Sequence, residues 1–334
     1  MRPFDYQRAA DAPSAVAAVA ADPGAVFLAG GTNLVDHLKL GVAAPSLVVD
    51  VSGLAVDEVE ELPEGGLRIG AGTRNSDLAA HPLVRERYPL LSDALLSGAS
   101  GQLRNVATTG GNLLQRTRCG YFRDPTVPCN KREPGSGCPA LTGHNRHHAI
   151  LGASRECVAT HPSDMAAALV ALDATAVVLG VDGARRVPVG ELHRLPGDDP
   201  TRDTVLAHGD LITAVELPAP LGGRSHYRKV RDRASFAFAL VSLAAAVRMR
   251  DGVIDNLRLV LGGVAHTPWR ARHAEDALRG AAPTEGALRA AADAELLDAK
   301  ALAGNAFKVP LARNALLSVL RDLTDIAPEH EEDA

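Results

Sequence analysis

All four cysteines of this chain, Cys119, Cys129, Cys138 and Cys157, fall between the polar motifs Thr108-Thr109-Gly110-Gly111-Asn112 and Pro162-Ser163-Asp164. Cysteines serving as small core residues would be scattered among the alanines and valines that fill the same role. Their confinement points to a shared ligand, around which one irregular segment has to fold. The N-terminus, Met1-Arg2-Pro3-Phe4-Asp5-Tyr6, lacks the basic stretch and apolar run of a secretion signal, so the chain is expected in the cytoplasm. In that reducing compartment four clustered thiols favour metal or cluster binding over two disulfides.

With 334 residues, 46% of them hydrophobic, the chain is long enough for a large core and two or three domains. A net charge of −5 gives no reason to expect nucleic acid as a partner, the Arg-rich stretch 224–233 being a local exception. The longest apolar run, 236–247, is too short for a bilayer, which takes about 20 such residues. No membrane partner is expected.

The first fifty residues read as helix (13–21), strand (25–28), glycine turn, helix (34–40, closed by Gly41) and strand (47–51). Two strands are expected within 56–72, joined near Pro63-Glu64-Gly65-Gly66, then helical pieces at 75–80 and 83–96. After Asp164 come a helix (165–172), a strand (174–180), a loop (195–203) and a strand (211–217). Pro218-Ala219-Pro220 with Gly222-Gly223 marks a domain boundary. Beyond it, apolar runs at 227–231, 236–249 and 257–261 and helices at 268–278, 284–296 and 305–320 suggest a sheet with helices on one side. The acidic end, 329–333, reads as a frayed tail.

Two glycine turns carry chemistry by geometry. Ala29-Gly30-Gly31-Thr32-Asn33 follows a strand and opens a helix, where bare backbone N–H groups can approach an anion such as a pyrophosphate. A Gly-Gly pair alone is a weak signal, and Thr32 and Asn33 also fit as ordinary N-cap residues. The second turn, Gly110-Gly111-Asn112, lies some eighty positions on, so the two could cover opposite sides of one dinucleotide.

Leu28-Ala29-Gly30-Gly31-Thr32-Asn33-Leu34, then Arg104-Asn105-Val106-Ala107-Thr108-Thr109-Gly110-Gly111-Asn112-Leu113, then Pro162-Ser163-Asp164 occur in this order. Leu211-Ile212-Thr213-Ala214-Val215-Glu216-Leu217-Pro218 and Tyr227-Arg228-Lys229-Val230-Arg231 follow them. Together they resemble the FAD-binding, medium subunit of the xanthine dehydrogenase family of molybdenum hydroxylases over nearly the whole chain. The resemblance implies an α+β fold. Its FAD-binding domain, 1–222, would comprise two α/β subdomains (1–54 and 55–222) of the vanillyl-alcohol-oxidase (PCMH) type. A C-terminal domain of the CO-dehydrogenase flavoprotein type, 223–328, would carry an antiparallel sheet and helices, with 329–334 as tail.

By the same resemblance Ala29, Gly30, Gly31, Thr32, Asn33 and Leu34 wrap the FAD pyrophosphate. Thr108, Gly111 and Asn112 take the flavin and phosphate side, Ser163 and Asp164 anchor the cofactor by hydrogen bonds, and Leu211 packs near one end. Lys229 or its neighbour Arg228 lies near the cofactor, with solvated surface cations as the alternative.

The cysteine segment, an insertion at about 115–160, resembles the branch of bacterial molybdenum aldehyde oxidoreductases whose flavin subunit also carries a [4Fe–4S] cluster. Cys119, Cys129, Cys138 and Cys157 supply the four thiolates such a cluster needs. Reductases of aromatic acyl-CoA thioesters share the feature, so the insertion leaves the substrate open. Zinc is the rival ligand. It favours paired spacings such as Cys-x-x-Cys, absent here, although His144, His147, His148 and His161 offer nitrogens. These histidines are otherwise read as polar loop residues.

The implied function is electron transfer: a large molybdenum-cofactor subunit oxidises an aldehyde, a small [2Fe–2S] subunit relays the electrons, and the FAD here delivers them to an external acceptor. The partners would form a heterotrimer, with its dimerisation open. Export on a partner's signal would place the complex in the periplasm. No catalytic acid, base or nucleophile is expected, since no Gly-x-Ser-x-Gly or metal-hydrolase motif is present. The alternatives are a free-standing FAD-dependent oxidoreductase and a zinc-stabilised binding module.

Overall fold

A computed structural model describes residues 1–54 and 56–327; the tail, 329–334, lies outside the described residues. Three sheets organise the chain. In the first, β1 (Asp5–Arg8), β2 (Val26–Leu28) and β3 (Leu47–Asp50) run parallel in the order β1-β3-β2. Parallel neighbours need crossover connections, and two helices supply them. The Ala12–Ala21 helix starts at Asp11, which forms a reciprocal capping box with Ser14, and buries Ala15, Val16 and Val19. The Leu34–Leu40 helix ends on Gly41 in the left-handed conformation that glycine favours (φ 74°).

The second sheet is antiparallel, in the order β4 (Val59–Glu61), β5 (Leu67–Gly70), β8 (Leu211–Leu217), β6 (Thr175–Gly180), β7 (Gly183–Pro188). The chain leaves this sheet after β5 and returns at β6. Everything between, including the second glycine motif, the cysteines and Ser163-Asp164, is thereby delivered to one place. The expected helix at 83–96 is two, Pro82–Arg87 and Pro89–Ser97, because Pro89 starts a new helix instead of continuing the old one.

The third sheet is antiparallel too, ordered β12 (Trp269–Arg270), β11 (Val253–Gly262), β10 (Val241–Arg250), β9 (Arg224–Val230). Along β10 and β11 the buried side chains alternate between two cores. Leu243, Ala245, Leu259 and Leu261 pack with the helices Arg272–Leu278, Glu285–Glu295 and Lys308–Thr324. Ala244, Val260 and Tyr227 pack with the helices Pro89–Ser97 and Asp164–Ala171. Helices thus cover both faces, not one as expected. Burial on both faces explains the unbroken apolar run Val241–Val247. Residues 236–240 precede β10 as a loop, with Phe236 at φ 51°. The fold is the α+β type expected, with antiparallel sheets in its C-terminal part. No helix among the described residues is long and apolar enough to cross a membrane.

Candidate functional site: a dinucleotide cavity walled by a cysteine loop

β2 runs directly into Ala29–Asn33 and the Leu34–Leu40 helix. Among the described residues the amide N–H groups of Gly30, Gly31, Thr32 and Asn33 form no hydrogen bond. Consecutive bare amides make a concave, electropositive nest that suits an anion. Gly30 is required by a close approach: a Cβ there would lie 2.0 Å from the Val106 carbonyl oxygen. The first glycine turn therefore rests directly on the segment leading to the second. Asn33 occupies the N-cap position but makes no side-chain cap; its Oδ1 accepts instead from the Arg116 amide at 3.0 Å.

The second glycine motif is not an open turn. Thr109–Leu113 is a short helix capped by Thr108, whose Oγ1 accepts from the Gly111 amide at 3.3 Å. The Thr109 and Gly110 amides donate to the carbonyls of Thr73 and Ala71. Its backbone donors are consumed within the protein, so it offers side chains and a bare glycine surface rather than a second phosphate nest.

Ser163 caps the Asp164–Ala171 helix by accepting from the Ala166 amide at 2.9 Å, and its hydroxyl donates to Asn112 Oδ1 at 2.5 Å. Asp164 is engaged on both oxygens. Oδ1 accepts from the Tyr227 hydroxyl at 2.6 Å and Oδ2 from the Lys229 ammonium at 2.7 Å. Lys229 also donates to the Ser97 carbonyl, and its side chain is 3% exposed. Burial, then the Asp164 carboxylate, holds the Tyr227 hydroxyl well above its ordinary pKa, so it remains a donor.

A cavity of about 2300 Å³ joins these pieces. Ala29, Gly30, Gly31, Thr32, Asn33, Leu34, Thr108, Gly111, Asn112, Ser163, Asp164 and Leu211 all line it. Lys229 does not. Its ammonium is bound by Asp164 and the Ser97 carbonyl directly behind that wall. The volume exceeds the roughly 300–1,000 Å³ typical of small-ligand pockets. The nest and the buried, unpartnered His161 Nε2 and Asn75 Oδ1 supply polar groups in its walls. An extended dinucleotide such as FAD fits this donor set.

Sequence reasoning missed the other wall, which the cysteine segment builds. Arg116, Arg118, Cys119, Tyr121, Arg123, His147 and His148 all border the cavity. Arg118 and Arg123 share the single carboxylate of Asp36, at 3.7 and 2.6 Å. Nothing in the local pattern signals this, since it follows from the insertion folding back onto the glycine turn through the Arg116–Asn33 bond.

The four cysteines form no disulfide, and all line one small cavity next to the first. Backbone amides face three of the sulfurs and work to lower their pKa: those of Phe122 and Tyr121 at Cys119, of Val158, Ala140 and Leu141 at Cys138, and of Ala159 at Cys157. Burial nonetheless raises these thiols, and pushes Cys157 up to about 12 against the opposing pull of Lys131. Lys131 is itself buried, donating to Asp203 at 2.5 Å and the Pro200 carbonyl at 2.7 Å. Burial alone would raise the Asp203 carboxyl, but Arg116 and Lys131 together hold it at about 2. Arg132 gathers the carbonyls of Tyr121, Phe122 and Val127 on one guanidinium.

The histidines divide. All four lie in loop segments as expected, but only His144 and His147 are exposed; His148 and His161 are buried, because the insertion tucks under the C-terminal domain. There the buried Lys308 ammonium donates to the His148 carbonyl at 2.9 Å, and Asn305 to the same carbonyl at 3.1 Å. Among the described residues no three His, Cys, Asp or Glu side chains are arranged to hold a single metal ion.

Comparison with known proteins places this geometry. Residues 2–220 match the model of the FAD binding domain in molybdopterin dehydrogenase, and 225–323 that of the CO dehydrogenase flavoprotein C-terminal domain. The chain is 51% identical over 323 residues to the aldehyde oxidoreductase FAD-binding subunit PaoB of Escherichia coli (strain K12), covering 96% of this chain and 98% of that one. It is 28% identical to the glyceraldehyde dehydrogenase medium chain of Sulfolobus acidocaldarius, over 81% of this chain and 79% of the other. Among solved structures, carbon monoxide dehydrogenase from Hydrogenophaga pseudoflava, in a form lacking the Mo-pyranopterin moiety, matches with a TM-score of 0.76. That match has 27% identity and covers 97% of this chain and 98% of its counterpart. The chain therefore belongs to the FAD-binding, medium-subunit family of the molybdenum hydroxylases.

Proposed function

We propose that this chain is the FAD- and [4Fe–4S]-carrying electron-transfer subunit of a heteromeric, molybdenum-containing aldehyde oxidoreductase. A large molybdenum-cofactor subunit and a small [2Fe–2S] subunit are its partners. The observation that carries the finer part is the convergence of Cys119, Cys129, Cys138 and Cys157 on one small cavity, with backbone N–H groups aimed at three of the sulfurs. Such hydrogen bonds suit sulfurs that carry negative charge, as cluster-bound thiolates do. A cubane distributes its four thiolates over four irons, so it asks for four sulfurs around a shared volume rather than three ligands on one point. Zinc favours paired spacings such as Cys-x-x-Cys, which this segment lacks. The 51% identity to an aldehyde oxidoreductase subunit over nearly full length supports the aldehyde class.

Bound FAD supplies one- and two-electron chemistry, and a cluster supplies a one-electron centre. The chain's residues do the rest. The bare amides from Gly30 to Asn33 hold the pyrophosphate, Asn112 and Ser163 fix the second motif against the first, and Asp164 with Lys229 locks this assembly to the C-terminal sheet. Arg116, Arg118 and Arg123 place positive charge along the cysteine side of the cavity. The Lys131–Asp203 pair braces the cysteine loop.

The test is the complex purified with its partners, with iron, acid-labile sulfide, zinc and FAD quantified per chain. The reading expects about four irons on this subunit, and Cys129→Ser should remove them while most FAD stays. Zinc at one per chain without iron would overturn the cluster assignment, and a chain without flavin would overturn the whole.

A further inference from the structure

His148 stands where the two cavities share a wall, together with Cys119 and Tyr121. Its Nε2 lies 3.1 Å from the Cys119 sulfur, and its ring centroid is 6.4 Å from that of Tyr121. Its backbone is pinned. The His148 amide donates to the Asn145 carbonyl at 3.0 Å, and its carbonyl accepts from Lys308 and Asn305. Both donors are buried, so the backbone that carries the ring is held from the C-terminal domain. The other three cysteines receive no hydrogen bond from a side chain among the described residues; Cys119 alone meets a ring nitrogen.

The chemistry of the pair fixes the proton. A free thiol can donate its S–H to Nε2, but an iron-bound thiolate can only accept. With metal in place, Nε2 must carry the hydrogen and point it at sulfur, leaving the buried Nδ1, which has no partner, as the bare nitrogen. A donor to a cluster sulfur stabilises whichever state holds more negative charge, and one-electron reduction adds one charge to the cluster. Removing that donor therefore makes the cluster harder to reduce.

We propose that His148 sets the potential of the iron–sulfur centre through an Nε2–H hydrogen bond to Cys119. This rests on the cluster reading above. A hydrogen bond to a charged group has a weight of about tenfold in an equilibrium. At a fixed potential the reduced-to-oxidised ratio should thus fall about tenfold without it, which is a shift of about 59 mV for one electron.

The experiment is a dithionite titration of the complex, purified with its partners, followed by the electron paramagnetic resonance of the reduced cluster. His148→Phe keeps a ring but no donor; His148→Gln restores an N–H near the lost Nε2. The Phe variant should keep iron and sulfide at the wild-type level with a potential lower by about 59 mV, and the Gln variant should recover part of that shift. An intact cluster at unchanged potential in the Phe variant overturns the proposal for His148 and leaves the cluster standing. Wild-type protein with no iron overturns the cluster reading, and this inference with it. Should the Phe variant fail to fold, the wild-type complex labelled with ¹⁵N in histidine alone is decisive. Spin-echo modulation from a histidine nitrogen on the reduced cluster is expected, and its absence refutes the bond.

Discussion

Replacing Asp164 by Asn separates a strut from a ligand. The carboxylate joins the Asp164–Ala171 helix to β9 through Tyr227 and Lys229, and the side chains of the ion pair are 9% and 3% exposed. Asn keeps one acceptor oxygen and offers an NH₂ on its other side, so either Tyr227 or Lys229 loses its acceptor. If it is Lys229, a buried ammonium is left with the Ser97 carbonyl alone. Breaking one side of a buried pair costs about 3–5 kcal/mol. With an unfolding entropy of about 2.1 cal/mol/K per residue, the 334 residues shift their melting midpoint by about 1.4 °C per kcal/mol, giving a fall of roughly 4–7 °C. Differential scanning fluorimetry with and without added FAD, together with flavin content, reads the effect. The flavin-free Asp164→Asn chain should already melt early. Lys229→Met combined with Asp164→Asn should cost less than the two single changes summed, because each leaves the other's partner stranded. Normal melting of the flavin-free variant with loss of FAD binding would refute the strut and return Asp164 to the role of direct ligand.

Gly30→Ala drives a Cβ to 2.0 Å from the Val106 oxygen and should abolish FAD retention, whereas Gly41→Ala, whose Cβ meets open space, should cost only about 1–2 kcal/mol of left-handed strain and keep FAD; flavin fluorescence after gel filtration compares them. Arg132→Lys cannot span three carbonyls with one ammonium, so the cysteine loop should loosen and iron content fall, measured by metal analysis. Acid should destabilise the protein early. Burial lowers His37 to about 4, His266 to about 3, and His161 and His193 below their ordinary value. These rings are neutral in the folded state and protonate first in the unfolded one. Their contribution is therefore complete above about pH 6.5 and is lost as pH falls, at about 1.4 kcal/mol per pH unit each for His37 and His266 down to about pH 4. Denaturation midpoints between pH 7 and 4 should show uptake of more than one proton on unfolding, and a slope below one proton contradicts the burial argument.

The sequence was legible where one physical signal dominates. The Asp11 cap, the strand–glycine–helix passage at Ala29 and the left-handed close at Gly41 are local, and each is found where its chemistry puts it. Edge strands escaped notice: β1, Asp-Tyr-Gln-Arg, and most of β7, Gly-Ala-Arg-Arg-Val-Pro, are exposed along their length and present no apolar alternation to read, and β12, Trp269–Arg270, was absorbed into the helix expected at 268–278, which starts only at Arg272. Neither face of a strand reveals itself when both are buried, which is why β10 appeared only as an apolar run and its second layer of helices was missed. At the site, twelve of the thirteen expected cofactor residues line one cavity. Lys229 joins that group through Asp164, a contact that alternation along β9 does not reveal. Arg116 and Asp203 carried no signal, and His148 was one of four histidines offered without a partner, since the partners of these three lie 29 (His148), 83 (Arg116) and 72 or more (Asp203) positions away and only the folded insertion unites them.

The bond from the Arg116 amide to Asn33 also has a kinetic meaning. It fastens the entrance of the cysteine loop to the turn that faces the anion, and Arg116 reaches Asp203 with its guanidinium at the same time. One residue thus sits at the junction of three segments that are far apart in the chain. Until the loop has closed, the nest lacks its clamp and the cavity lacks a side. In the growing chain the glycine turn emerges some 170 positions before Asp203, so the clamp is complete only after both have been made.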